Sequence, residues 1–381
     1  MEQHEDVFFR TLRSALWGGE TLQIPEGFSN WGKVMKLAKA QAVTGLVGDV
    51  ILRTPEIMAS LPDKAAEYVQ EIPMKNIVMH TVLNNTLILA VKTLRDHGIE
   101  PVLLKGQGLA RYYPVPELRQ CGDIDLYVGE ENYEKAYEAL KGVVTEIDDK
   151  ENIRRGLHFH AKIHSILLEI HHEVEYVFKK SYEKLFRSKV QTGLTGDLPV
   201  LNFGDSAVSV PEVSFNAFYV FYHLWRHYMV SGVGLRQLCD WMLFLNAKKD
   251  EIDLEYLEAF INEMNLMDAW QTFGCILVGH LGMPQENFPF YDQRNRKYSD
   301  RLLKMIMAEG NFGQSGSYVR VRKKSYLYEK WFSFRCHVGR IFNMVMIFPR
   351  LSYDRLVYML TGGIGQVYKD IKSSIVLDTE K

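Results

Sequence analysis

Gly122-Asp123-Ile124-Asp125-Leu126-Tyr127-Val128 alternates polar with apolar residues, and the reading of this stretch decides the fold. A strand projects residues i and i+2 from one face, so Asp123, Asp125 and Tyr127 share one side and Ile124, Leu126 and Val128 the other. Two carboxylates side by side repel and raise each other's proton affinity, which calls for a compensating cation. Mg2+ (or Mn2+) suits such a pair, because it takes oxygen ligands and completes its shell with waters and substrate phosphates. Taken alone, Asp-x-Asp describes a solvated edge strand equally well, so its surroundings carry the argument.

Upstream, Val102-Leu103-Leu104 after Pro101 is a short apolar run of strand character that enters the turn Lys105-Gly106-Gln107-Gly108, followed by the helical stretch Leu109 to Tyr113. Glycines in such a turn let backbone N–H groups approach a phosphate closely. Downstream, a charged helical pattern occupies residues 130–140, and His158 to Ile163 and Ile166 to Glu173 read as a hairpin. Glu169 interrupts the apolar second strand of that hairpin, where a lone carboxylate is either paired or functional. Glu173 and Glu175 follow on the same face. Strand, short helix, strand, helix and hairpin describe a small mixed sheet covered by helices on one face.

The flanks are helical by their three-and-four spacing, as in Phe8, Leu12 and Leu16 or Val78, Val82 and Leu89. A helix from about Ala65 to Asp96 should end at His97-Gly98. Residues 189–211, rich in Gly, Thr, Asp and Pro, read as an extended connection with at most short strands. Helical patterns follow at 215–228, 234–247, 254–263, 266–281, 301–308 and 326–348. The expected fold is α+β: an N-terminal helical region (1–98), an α+β core (99–210) and a C-terminal helical domain (211–381).

Composition narrows the function. A net charge of -2 supplies no field for steering a long polyanion, so no nucleic-acid partner is expected. Cys121, Cys239, Cys275 and Cys336 lack the close spacing of zinc or redox motifs and read as reduced thiols. The acidic start and the absence of an apolar run of about 20 residues argue against a leader or membrane anchor and for a cytoplasmic protein.

Together these residues resemble the polymerase-β-like nucleotidyltransferase superfamily, whose pattern is a strand ending in Gly-Gly or Gly-Ser, then Asp-x-Asp, then a third acidic residue on a neighbouring strand. More narrowly, Leu104-Lys105-Gly106, Tyr112-Tyr113, Arg119 and Asp123-Ile124-Asp125-Leu126 are similar to a family of uncharacterised bacterial nucleotidyltransferases. Tyr222-His223-Leu224-Trp225-Arg226-His227 and Gly234-Leu235-Arg236-Gln237-Leu238-Cys239-Asp240-Trp241 resemble the helical part of that family. The resemblance implies that Asp123, Asp125 and Glu169 hold the metal and act in catalysis. It implies that Lys105, Gly106, Gln107, Gly108 and Arg119 bind the nucleoside triphosphate, with transfer of its nucleoside monophosphate to a hydroxyl of an unidentified small molecule or protein. Gln107 departs from the family's second glycine or serine, and Gly108 is the alternative phosphate contact. That departure also leaves open a degenerate member that binds nucleotide or a partner without turnover. Glu173 is the alternative third carboxylate.

Other groupings carry less. His223 and His227 lie one helical turn apart and suit packing or hydrogen bonding, the acceptor pocket, or a metal. Arg236 and Asp240 have the spacing of an intrahelical ion pair. The basic run Arg320 to Lys324 reads as a solvated turn. His158, His160, His164, His171 and His172 cluster at the hairpin, and alternation sets His171 with Glu169.

Overall fold

The acidic strand does not lie at an edge. In the computed structural model, which describes residues 2–18, 22–151, 153–311, 335 and 338–360, Asp123–Tyr127 (β2) is the middle strand of seven. The others are Val102–Leu103 (β1), Glu146–Ile147 (β3), His158–Ile163 (β4), Ile166–His171 (β5), Val200–Phe203 (β6) and Ser206–Ser209 (β7). Their order is β3-β4-β5-β2-β1-β7-β6. β2 pairs parallel with β5 and antiparallel with β1, and β4 and β5 form the expected hairpin, turning at His164 with φ 54°.

Alternation along β2 now has a cause. Ile124 and Leu126 pack with Leu168 and Ile170 of β5 and Phe159 of β4 beneath Leu87 and Leu94 of the helix Asp63–Asp96, and beneath Tyr133 and Tyr137 of the helix Tyr133–Leu140. Each fully buried leucine or isoleucine in such a layer contributes about 1.5–3 kcal/mol. A one-residue slip would expose this set and bury the carboxylates, so the register is strongly specified. The opposite face of the sheet carries the polar residues and looks toward the helices Val213–Val230 and Leu235–Lys248.

The stretch 189–211 begins in the helix Glu183–Gly193 and then forms the hairpin β6–β7, which turns at Gly204 (φ 57°) and adds to the sheet through parallel pairing of Val102 with Ser209. Helices before and after the sheet join in one apolar core, in which Phe8, Leu12, Val34 and Val47 share a cluster with Phe218, Trp241 and Trp270. This is an α+β fold.

Helical patterning downstream meets Val213–Val230, Leu235–Lys248, Leu254–Glu263, Met267–Leu281 and Arg296–Glu309. The basic run at 320–324 and, of the helix expected over 326–348, residues 326–334, Cys336 and His337 lie outside the described residues, while 338–345 are helical. The other three cysteines are free. Among the described residues, Asp63–Asp96 is long and apolar enough to cross a bilayer by length and composition, which revises the expectation that no stretch qualifies. Its second half is nonetheless a core element, with Leu83, Leu87, Ala90 and Leu94 fully buried.

Candidate active site

Parallel pairing in register places Asp125 beside Glu169 and Tyr127 beside His171. The hairpin sets His158 opposite His171 and His160 opposite Glu169. Asp123, Asp125, Glu169, His171 and His158 line one cleft of about 350 Å3, whose far wall includes His223 and Arg226 of the helix Val213–Val230. The three acidic positions singled out in the sequence are thus brought together.

Lys105 enters the cleft from the end of β1. The Leu104 N–H donates to the Asp125 carbonyl at 3.1 Å, fixing the turn against β2. Gly106 then takes φ 57°, which favours glycine, and a Cβ there would make a tight contact of 3.3 Å with Cys121 Sγ. Lys105 Nζ consequently reaches Asp125 Oδ1 at 3.1 Å and lies 3.4 Å from His223 Nδ1. Gln107 and Gly108 go elsewhere. Buried Gln107 donates to Asn84 Oδ1 at 2.6 Å and lies 3.3 Å from His80 Nδ1, and Gly108 packs on Leu103 and Val210.

Arg119 lines the cleft but is committed to Asp240. Its Nε and Nη2 donate to the two carboxylate oxygens at 2.7 Å each, and the Tyr113 hydroxyl donates to Oδ1 at 2.7 Å. Asp240 therefore pairs with Arg119, while Arg236, its expected helical partner, donates to the Gln120 carbonyl at 2.8 Å. A partner so distant in the chain gives no local spacing signal.

Electrostatics follow from this crowding. Burial and the neighbouring Asp125 push the Asp123 carboxyl up. Burial pushes Asp125 up as well, but Lys105 and His171 outweigh it and hold this carboxyl below its ordinary range. Burial pushes Glu169 up too, but its hydrogen bond with His171, together with the nearby His158 and Lys105, holds this carboxyl low. His171 in turn is raised against burial by its contacts with Asp125 Oδ1 (3.2 Å) and Glu169 Oε2 (3.5 Å). Burial and the adjacent His171 lower His158 to about 4. On the far wall, burial and Lys105 push His223 well down, and burial with His223 lowers His227 to about 2.

Glu173 does not join the acidic trio. β5 ends at His171, alternation stops there, and Glu173 pairs with Arg187 at 2.7 Å beside a separate cavity of about 1040 Å3. Buried Glu175 does face the cleft, where it pairs with His223 and Arg226. Among these residues the sequence pointed to no single histidine, although the i+2 relation of His171 to Glu169 was legible.

Residues 28–278 match the model of a family described as uncharacterised nucleotidyltransferase. That is well over half of the 381 residues, and the chain belongs to this nucleotidyltransferase family. The match starts within the N-terminal helices, well before the stretch that carried the sequence resemblance. No curated protein and no solved structure matches the chain.

Proposed function

We propose that the cleft transfers a nucleoside monophosphate from a nucleoside triphosphate to a hydroxyl group of an acceptor. The observation that carries this reading is the convergence of Asp123, Asp125 and Glu169 in one open cleft, with Lys105 as the cation reaching the middle carboxylate. Three oxygen-donor side chains with leftover negative charge fit Mg2+ (or Mn2+), and Asp123, Asp125 and Glu169 are the residues that would hold it. Such an ion, when bound, neutralises charge on the phosphate oxygens.

The chain's own groups do the rest. Lys105 exchanges its contact with Asp125 for the incoming phosphates, next to the backbone of Gly106. Glu169 accepts the proton of the acceptor hydroxyl. Its oxygen attacks the α-phosphorus in line, the bond to the bridging oxygen breaks, and pyrophosphate leaves. In this class of reaction positioning and electrostatic stabilisation supply most of the acceleration. Arg119, held by Asp240, serves as a positioning residue for the cleft wall.

The test is pyrophosphate release by the double variant Asp123→Asn/Asp125→Asn, measured after the four ribonucleoside triphosphates have been screened for thermal stabilisation of the folded chain. Removing ligands worth several kcal/mol should lower the rate by at least about a thousandfold. Undiminished release refutes the assignment. Gln107, buried where the superfamily carries a small residue, favours a second reading as a binding protein. Metal-dependent nucleotide binding without pyrophosphate release from the wild type would select it.

A further inference from the structure

The reaction proposed above uses oxygen ligands, yet the same face of the sheet brings three imidazoles to Glu169: His171 at 3.5 Å, His158 at 3.8 Å and the more exposed His160 at 3.9 Å. Donor atoms of His158, Glu169 and His171 all lie within 4.8 Å of one another. Donors sharing one ion at about 2.1 Å in a tetrahedral shell stand about 3.4 Å apart. Closing the set on a cation therefore takes side-chain adjustments of up to about 1.4 Å.

Two details of the surroundings argue for an ion. His171 Nδ1 lies 3.3 Å from the Glu173 carbonyl oxygen, which only accepts, so this nitrogen carries the hydrogen. Its Nε2 consequently faces Asp125 Oδ1 and Glu169 Oε2, the orientation in which metal-bound histidines are held by a backbone carbonyl behind them. His158 meanwhile has its Nδ1 buried with no hydrogen-bond partner, and its Nε2 stands 3.2 Å from His160 Nε2 and 3.8 Å from Glu169 Oε2. The salt bridge of His171 with the acids leaves His158 Nε2 held only by its contact with His160. A cation on Glu169 would take that nitrogen as a ligand.

We infer that His158, Glu169 and His171 form a site for a divalent transition ion of the Mn2+ to Zn2+ series, beside the aspartate pair. Two imidazole nitrogens with one carboxylate is a donor set suited to these ions, whereas Mg2+ prefers oxygen ligands throughout. The inference goes beyond nucleotidyl transfer and is read without nucleotide.

Isothermal titration of the chelator-stripped full chain with Zn2+, Mn2+ and Mg2+ tests it. One Zn2+ should bind per chain, at least tenfold tighter than Mg2+, and His158→Ala should weaken Zn2+ binding by at least about tenfold. Co2+ added to the wild type should give visible d–d absorption that changes in the same variant. If His158→Ala loses the far-UV circular dichroism of the wild type, His158→Gln replaces it. Equal affinity for Mg2+ and Zn2+, or unchanged Zn2+ binding in a folded His158 variant, overturns the site. Tight Zn2+ binding with no pyrophosphate release removes only the transfer reading, and transfer with Mg2+ by a chain indifferent to Zn2+ removes only this one.

Discussion

Two clusters of buried charge border the same cleft, and they are built to opposite rules. Around Asp240 one carboxylate meets one guanidinium in a bidentate pair, with the Tyr113 hydroxyl as a third donor. Around Asp125 three carboxylates, Asp123, Asp125 and Glu169, face Lys105, the imidazole of His171 and, on the Asp123 side, Arg236. With that imidazole neutral, one negative charge remains. Burial raises the cost of any unbalanced charge, so the closed cluster holds the helix Leu235–Lys248 to the sheet, and the unbalanced one stands ready for a cation. Both line the cleft, but only the second has anything left to bind.

Mutation should separate the two. Asp240→Ala leaves the Arg119 guanidinium buried without its partner, and breaking a buried pair in this way costs about 3–5 kcal/mol. Urea denaturation should show that loss with an unchanged slope. A loss under about 1 kcal/mol, the range of an exposed pair, would mean that the Arg119 cluster is not the structural anchor described here.

The difference between the clusters was only half legible in the sequence. Asp123-Ile124-Asp125 and Glu169 announced themselves because strand alternation is local, with a period of two, and a carboxylate in an apolar run is conspicuous. Lys105 was legible as the residue at the strand end. Asp240 was not, because its spacing pointed to Arg236 in its own helix, while its partner Arg119 is 121 residues away. Glu175 was grouped with Glu169 by an alternation that stops at His171, and it reaches the cleft by a different route, through His223 and Arg226. Residues 189–211 were legible only as a connection with at most short strands, because two four-residue strands around a Gly-Asp turn have the composition of a loop, and the pairing of β7 with β1 leaves no local signal. What is periodic could be read, and what depends on distant pairing could not.

The leftover negative charge also depends on the far wall staying neutral, which pH can probe. His227 has its pKa lowered to about 2, by burial first and by His223 second. An unfolded histidine titrates near 6.5, so below that pH the unfolded chain takes up a proton that the folded chain refuses. Stability is therefore full above pH 6.5 and falls as pH drops toward the folded value, by about 1.4 kcal/mol per unit, or roughly 2 kcal/mol by pH 5. Thermal unfolding between pH 7 and pH 5 should show this decline in the wild type and a shallower one in His227→Asn. Parallel curves would show that the imidazole is charged in the folded state, and the imbalance at Asp125 would shrink accordingly.

The smallest effect has the most informative sign. Asp123 has its pKa raised by burial and by Asp125, so its ionised form is held at a cost in the folded chain, the reverse of a carboxylate that anchors structure. Asp123→Asn keeps the shape and removes the charge. Without added metal it should raise stability by about 0.5–1 kcal/mol, a gain of roughly 1 °C in Tm for a chain of this size. Added Mn2+ should then stabilise the wild type more than the variant, reversing the order of the two melting curves. A destabilised Asp123→Asn in the absence of metal would place the aspartate pair in the same class as Asp240, and the contrast between a closed and an open cluster would collapse.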